Sequence, residues 1–86
     1  MILKNKHRSL NMANLSDLTP RELEILQLVI QGKTNRAIAS EIGVSERTVE
    51  FHIDNIYTKI GARTRVIAGI WAIQHGINIE PVEIPS

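Results

Sequence analysis

The sequence predicts an all-α protein, a four-helix bundle whose second and third helices form a central helix-turn-helix. Three observations predict it. Apolar residues recur at helical spacing, and no segment shows the strict apolar–polar alternation of a half-buried strand. Thr19, Thr34, Ser45 and Thr64 each stand just ahead of an apolar-periodic run, where a side-chain oxygen caps a helix. Gly32, Gly43, Gly61 and Gly76 follow those runs as stops.

The first helix has the fullest start signal. In Leu18-Thr19-Pro20-Arg21-Glu22-Leu23, Thr19 is the N-cap and Pro20 takes the first helical position, where its missing N–H costs nothing. Glu22 falls three residues after the cap, in reach of its backbone, and Leu18 and Leu23 are spaced for a hydrophobic staple. Leu23, Ile25, Leu26, Val29 and Ile30 then share one face before Gly32.

Thr34 caps a short second helix, Asn35 to Ile42, with Ile38, Ala39 and Ile42 turned inward and Gly43 closing it. Ser45 caps the third, Glu46 to Ile60, whose Val49, Ile53, Ile56 and Ile60 form the inward stripe. Only Gly43-Val44-Ser45 separates the two, so they must cross steeply, as in a helix-turn-helix. A Thr64 cap opens the fourth helix, which runs to His75. Ile77 to Ser86, with Pro81 and Pro85, reads as an extended tail. The organisation is therefore an N-terminal arm or linker at 1–17, the helical domain at 18–77 and a C-terminal tail at 78–86.

Composition narrows the function classes. Eighty-six residues leave no room in this chain for a second sensory or catalytic domain, and 43% apolar with 22% charged residues is the balance of an ordinary soluble globule. No stretch reaches the roughly 18 apolar residues of a membrane span, and Met1 to Leu10 carries Lys4, Lys6 and Arg8 without a signal-sequence run. With no cysteine there is no disulfide scaffold, thiol nucleophile or Cys-ligated zinc. These features read as a cytoplasmic protein with no membrane partner. A net charge of +1 says little about nucleic acid by itself, and 3% aromatic residues argue against a base-stacking surface for single strands.

A helix-turn-helix presents its second helix to the DNA major groove while helix starts and small polar or basic side chains hold phosphates. On the third helix the face opposite the apolar stripe carries Arg47, Glu50, Phe51, Asp54 and Thr58. Phe51 is the informative residue. A large ring on an outward face is suited to thymine methyl groups or a partner's apolar surface, the alternative being that it wraps onto a nearby helix end. Glu50 and Asp54 lie one turn apart, but His52 points roughly 200° away from Glu50 and supplies no third metal ligand. No Ser/His/Asp set or phosphate loop can be assembled either. The chain reads as neither an enzyme nor a metal or cofactor binder.

From Leu18 to Ile77 the chain resembles the DNA-binding output domain of LuxR-type, or GerE-type, transcriptional regulators, the module shared by quorum-sensing regulators and NarL/FixJ-type response regulators. The resemblance is carried by Leu18-Thr19-Pro20-Arg21-Glu22, Glu24-Ile25-Leu26, Gly32, Thr34-Asn35, Ile38-Ala39, Val44-Ser45, Thr48-Val49, His52, Asn55-Ile56, Lys59-Ile60-Gly61 and Arg63-Thr64-Arg65. It implies transcription regulation by double-stranded DNA binding, with the third helix in the major groove and the fourth pairing two subunits. Positions matching the family's base contacts are Arg47, Glu50, Phe51 and Asp54. Thr34, Asn35, Asn55 and Lys59 match groups at or near phosphate. Thr48 joins them as a phosphate donor, or else as a second hydroxyl closing the helix start with Ser45. His52, kept in the family, is expected to make a structural hydrogen bond. The departure from the family lies at Glu50 and Asp54, where many members carry Lys or another non-acidic residue.

The fourth helix adds a clue independent of family. Val66 to Ile73 holds no polar side chain, so more than one side needs covering. Ala68, Trp71 and Ala72 are expected in the core, leaving Val66, Ile67 and Ile70 for a second copy to bury as a homodimer. The competing covers are Ile77-Asn78-Ile79 and the N-terminal Ile2 and Leu3. The competing function is a protein-interaction module that pairs with another regulator or an RNA polymerase subunit without firm DNA contact.

Overall fold

The structure, a computed structural model, describes residues 13–77. After a single 3₁₀ turn at Leu15–Asp17, four helices follow: α1 Pro20–Ile30, α2 Asn35–Ile42, α3 Glu46–Ile60 and α4 Arg65–Gln74. No strand occurs among the described residues. The fold class is the expected all-α arrangement, and α4 ends one residue early because His75 serves as its C-cap.

Local chemistry sets the boundaries. The hydroxyls of Thr19, Thr34, Ser45 and Thr64 accept the backbone N–H groups of Glu22, Ala37, Thr48 and Ile67 at 3.0, 3.0, 3.0 and 3.1 Å. At α1 the box closes both ways, since the Thr19 N–H donates to Glu22 Oε1 at 3.0 Å. Gly43 sits at φ +75°, a left-handed conformation that side-chain-bearing residues rarely adopt, and this lets α3 turn away from α2 within three residues.

The central helix is α1, which packs against α2, α3 and α4. Its Ile25, Leu26 and Val29 meet Ile38 of α2, Val49 and Ile56 of α3, and Ala68 and Ala72 of α4 in one buried cluster. Leu28 is buried too, because α1 is covered on more than one side, and a single-stripe reading does not include it. The end of α1 is closed from a distance. The Arg65 guanidinium donates to the carbonyls of Val29 at 2.7 Å and Lys33 at 3.2 Å, pinning the start of α4 to the end of α1. Burial raises the pKa of the half-buried Tyr57, against the lowering influence of the Arg65 charge.

Both edges of the described chain pack against the helices. Ala13 is buried and Leu15 packs on the core, so the packed chain extends ahead of Leu18, where the capping signal starts. Ile77, the last residue of the 18–77 segment, is buried, and its N–H donates to the Ala72 carbonyl at 2.9 Å, satisfying one of the orphan carbonyls at the α4 C-terminus. Lys4, Lys6 and Arg8 of the N-terminal arm, the tail at 78–86 and the covers Ile2, Leu3, Asn78 and Ile79 lie outside the described residues.

Candidate nucleic-acid interface

Burial of Val49, Ile53, Ile56 and Ile60 fixes how α3 is rotated, and with it what α3 shows to solvent. Arg47, Glu50, Phe51 and Asp54 are all exposed, and with Thr48 they line one open concavity on the outer side of α3. Phe51 is 64% exposed and touches the edge of the His52 ring, with centroids 6.2 Å apart and an interplanar angle of 61°. It does not fold onto a neighbouring helix end. The His52 ring is half-buried and packs beside Phe51, and among the described residues its ring nitrogens make no hydrogen bond.

The face is electrically one-sided. Among the described residues the ion pairs are Arg21–Glu24 at 3.1 Å, Lys33–Glu41 at 3.4 Å and Lys59–Glu22 at 2.8 Å. None involves Arg47, Glu46, Glu50 or Asp54, so among the described residues α3 carries three carboxylates and one guanidinium outside any ion pair.

The candidate phosphate groups sit at helix ends around this face. Thr34 is the N-cap of α2 and Asn35 its first residue, with Thr34 spending its oxygen on the Ala37 N–H and keeping its hydroxyl proton available. At the α3 start the Ser45 hydroxyl donates to Thr48 Oγ1 at 3.0 Å, so Thr48 does help close the helix, while its own proton is left to donate outward. Asn55 is half-buried on the flank of α3.

Lys59 has a partner that sequence spacing does not disclose. Its Nζ donates to Glu22 Oε1 at 2.8 Å, and that carboxylate is almost wholly buried. Burial alone would raise the pKa of Glu22. The Lys59 hydrogen bond, the Thr19 backbone N–H and the Lys59 charge outweigh it, so the carboxyl sits below its ordinary range. Lys59 thus ties α3 to α1 with one of its three protons, and two remain for other acceptors.

On α4, Val66, Ile67 and Ile70 are exposed, and Ile73 joins them at 61%. Val66, Ile70 and Ile73 follow i, i+4, i+7 spacing and make one apolar ridge. Ala68 and Ala72 are buried as expected. Trp71 is only half-buried, stacked on His75 with centroids 4.0 Å apart, and His75 Nδ1 donates to the Trp71 carbonyl at 2.8 Å. No described helix is long and apolar enough to cross a membrane.

The chain matches the family model of bacterial regulatory proteins, luxR family, over residues 16–72. It is similar to the nitrate/nitrite response regulator protein NarL of Escherichia coli (strain K12), 35% identical over 71 residues that cover 83% of this chain and 33% of the relative. It is 42% identical to the transcriptional regulatory protein YdfI of Bacillus subtilis (strain 168) over 64 residues, 74% of this chain and 30% of the relative. With the response regulator protein VraR of Staphylococcus aureus (strain NCTC 8325 / PS 47) it shares 37% identity over 78 residues, 90% of this chain and 37% of the relative. The chain spans about a third of the length of these curated relatives.

Proposed function

Because the chain belongs to the luxR family of bacterial regulatory proteins, a family of DNA-binding transcription regulators rather than enzymes, we propose that it regulates transcription in the cytoplasm by binding specific double-stranded DNA as a homodimer. In this reading α3 enters the major groove and Arg47, Glu50, Phe51 and Asp54 face base edges. Thr34, Asn35, Thr48, Asn55 and the two spare protons of Lys59 hold the flanking phosphates. Val66, Ile67 and Ile70, extended by Ile73, bury against the same ridge of a second copy, and the two-fold axis sets the spacing of the recognition helices.

The observation that carries the reading is the outer face of α3. A ring that is 64% exposed costs hydration unless something covers it, and it sits amid hydrogen-bonding side chains on a helix whose other face is locked into the core. Selection of duplexes from a random pool tests it. The expected product is a site with two inverted half-sites whose centres lie about 10–10.5 base pairs, or a multiple of that, apart. A pool with no enrichment refutes the reading.

One observation favours a second function: the carboxylate excess on α3 suits a basic protein surface, such as one on another regulator or an RNA polymerase subunit. That function predicts partner capture by a chain that enriches no duplex.

A further inference from the structure

We propose that Glu50 and Asp54 make this domain a reader of cytosine amino groups, so that each half-site carries two C·G pairs whose cytosines lie under α3 about two base-pair steps apart. The inference rests on the placement of α3 in the major groove and names the chemistry that helix selects. Residues four apart are separated by about 6 Å along a helix, and bases on one strand by about 3.4 Å, so one carboxylate per second step is the natural register.

Three features of α3 combine in this assignment. Neither carboxylate has a hydrogen bond or ion pair among the described residues, so their accepting capacity is unspent, and both line the same concavity as Phe51. A carboxylate only accepts, and the major groove offers two amino donors, cytosine N4 and adenine N6. The adenine amino group lies between two acceptors, adenine N7 and thymine O4, which repel a carboxylate. The cytosine amino group has guanine O6 on one side and only the C5 edge on the other. Phe51 adds an apolar body that competes for no hydrogen bond, displaces water from the contact and strengthens it by lowering the local dielectric.

The surrounding charge sharpens the choice. Glu46, Glu50 and Asp54 outnumber Arg47 on the outer side of α3, so a duplex without matching donors leaves these carboxylates facing its phosphates uncompensated by base contacts. Gain on the matched site and loss elsewhere act in the same direction, and each cytosine contact is worth about five- to 150-fold in discrimination.

The test is duplex selection by the unaltered chain and by Asp54→Asn and Glu50→Gln, followed by affinities on the selected duplex, single-pair variants of it and a scrambled one at fixed salt. A carboxamide has the shape of the carboxylate but donates as well as accepts, and it pairs bidentately with adenine N6 and N7. The expected result is that Asp54→Asn moves preference from cytosine to adenine at one base pair and Glu50→Gln does so at another. In the unaltered chain, changing either C·G pair to A·T costs about five- to 150-fold. If both variants keep the original preference at every position and tighten selected and scrambled duplexes by the same factor, the acids only repel, and this inference falls while DNA binding stands. If the unaltered chain enriches no duplex, the DNA reading falls and takes the inference with it.

Discussion

Replacing Lys59 by alanine removes the only side-chain cation that, among the described residues, the buried Glu22 carboxylate meets. The Nζ–Oε1 distance is 2.8 Å, Lys59 is 38% exposed at its side chain and Glu22 only 7%. The same oxygen then keeps one partner, the Thr19 N–H at 3.0 Å. A hydrogen bond to a charged group contributes about 1.5–3 kcal/mol, and the solvent around half-exposed Lys59 screens part of that, so the expected loss is about 1–2 kcal/mol. In a domain of this size each kcal/mol lowers Tm by about 4–8 °C.

The loss must depend on pH. Glu22 titrates below its ordinary 4.5 in the folded chain. Its contribution is therefore complete above that value and disappears as pH falls through the folded pKa. Urea unfolding of the parent and Lys59→Ala chains is expected to show the full difference at pH 7 and a shrinking one in acid. Glu22→Gln in the Lys59→Ala background should recover part of the loss, because a neutral amide can still accept from Thr19 without leaving a charge buried. A difference under about 0.3 kcal/mol at pH 7, or an equal one at both pH values, would refute the ion pair as the link between α1 and α3.

Other expectations are as direct. Ile70→Glu should leave helical content intact while abolishing the proposed dimer, because a lone carboxylate would sit inside the apolar ridge of Val66, Ile70 and Ile73; unchanged sedimentation at high concentration would show that the ridge is not the interface. Arg65→Gln should destabilise the fold by about 1–3 kcal/mol by freeing the Val29 and Lys33 carbonyls, read by thermal unfolding, and an unchanged Tm would remove Arg65 from the cap. Phe51→Ala should change stability by less than about 0.5 kcal/mol yet weaken binding to a selected duplex, since the ring is 64% exposed; a large loss of stability would place the ring in the core instead.

The elements were legible because their determinants are local. Thr19 and Glu22, Ser45 and Thr48, and Gly43 act within four residues, and the stripe of Val49, Ile53, Ile56 and Ile60 alone orients α3 and so selects Arg47, Glu50, Phe51 and Asp54 as its outer face. What was not legible depends on tertiary placement. Glu22 looks like an ordinary capping-box acid until Lys59 arrives from 37 residues away, and Arg65 finds the end of α1 from 36 residues away. No pattern in the intervening sequence announces either. Ile73 is a different case: the expected patch held only Val66, Ile67 and Ile70, although i, i+4 and i+7 spacing is enough to put Ile73 on the same ridge. His52 follows its local pattern in position, but its hydrogen bonding depends on neighbours that periodicity does not specify.

The most direct test of the central claim is the affinity of the unaltered chain for its selected duplex across a salt series. Log K is expected to fall linearly with log salt, with a slope of about −0.9 for each phosphate held and a total reflecting several contacts per subunit, and Lys59→Ala to lower the slope by about one phosphate per subunit. An affinity indifferent to salt, or no duplex binding at low salt, would contradict that claim.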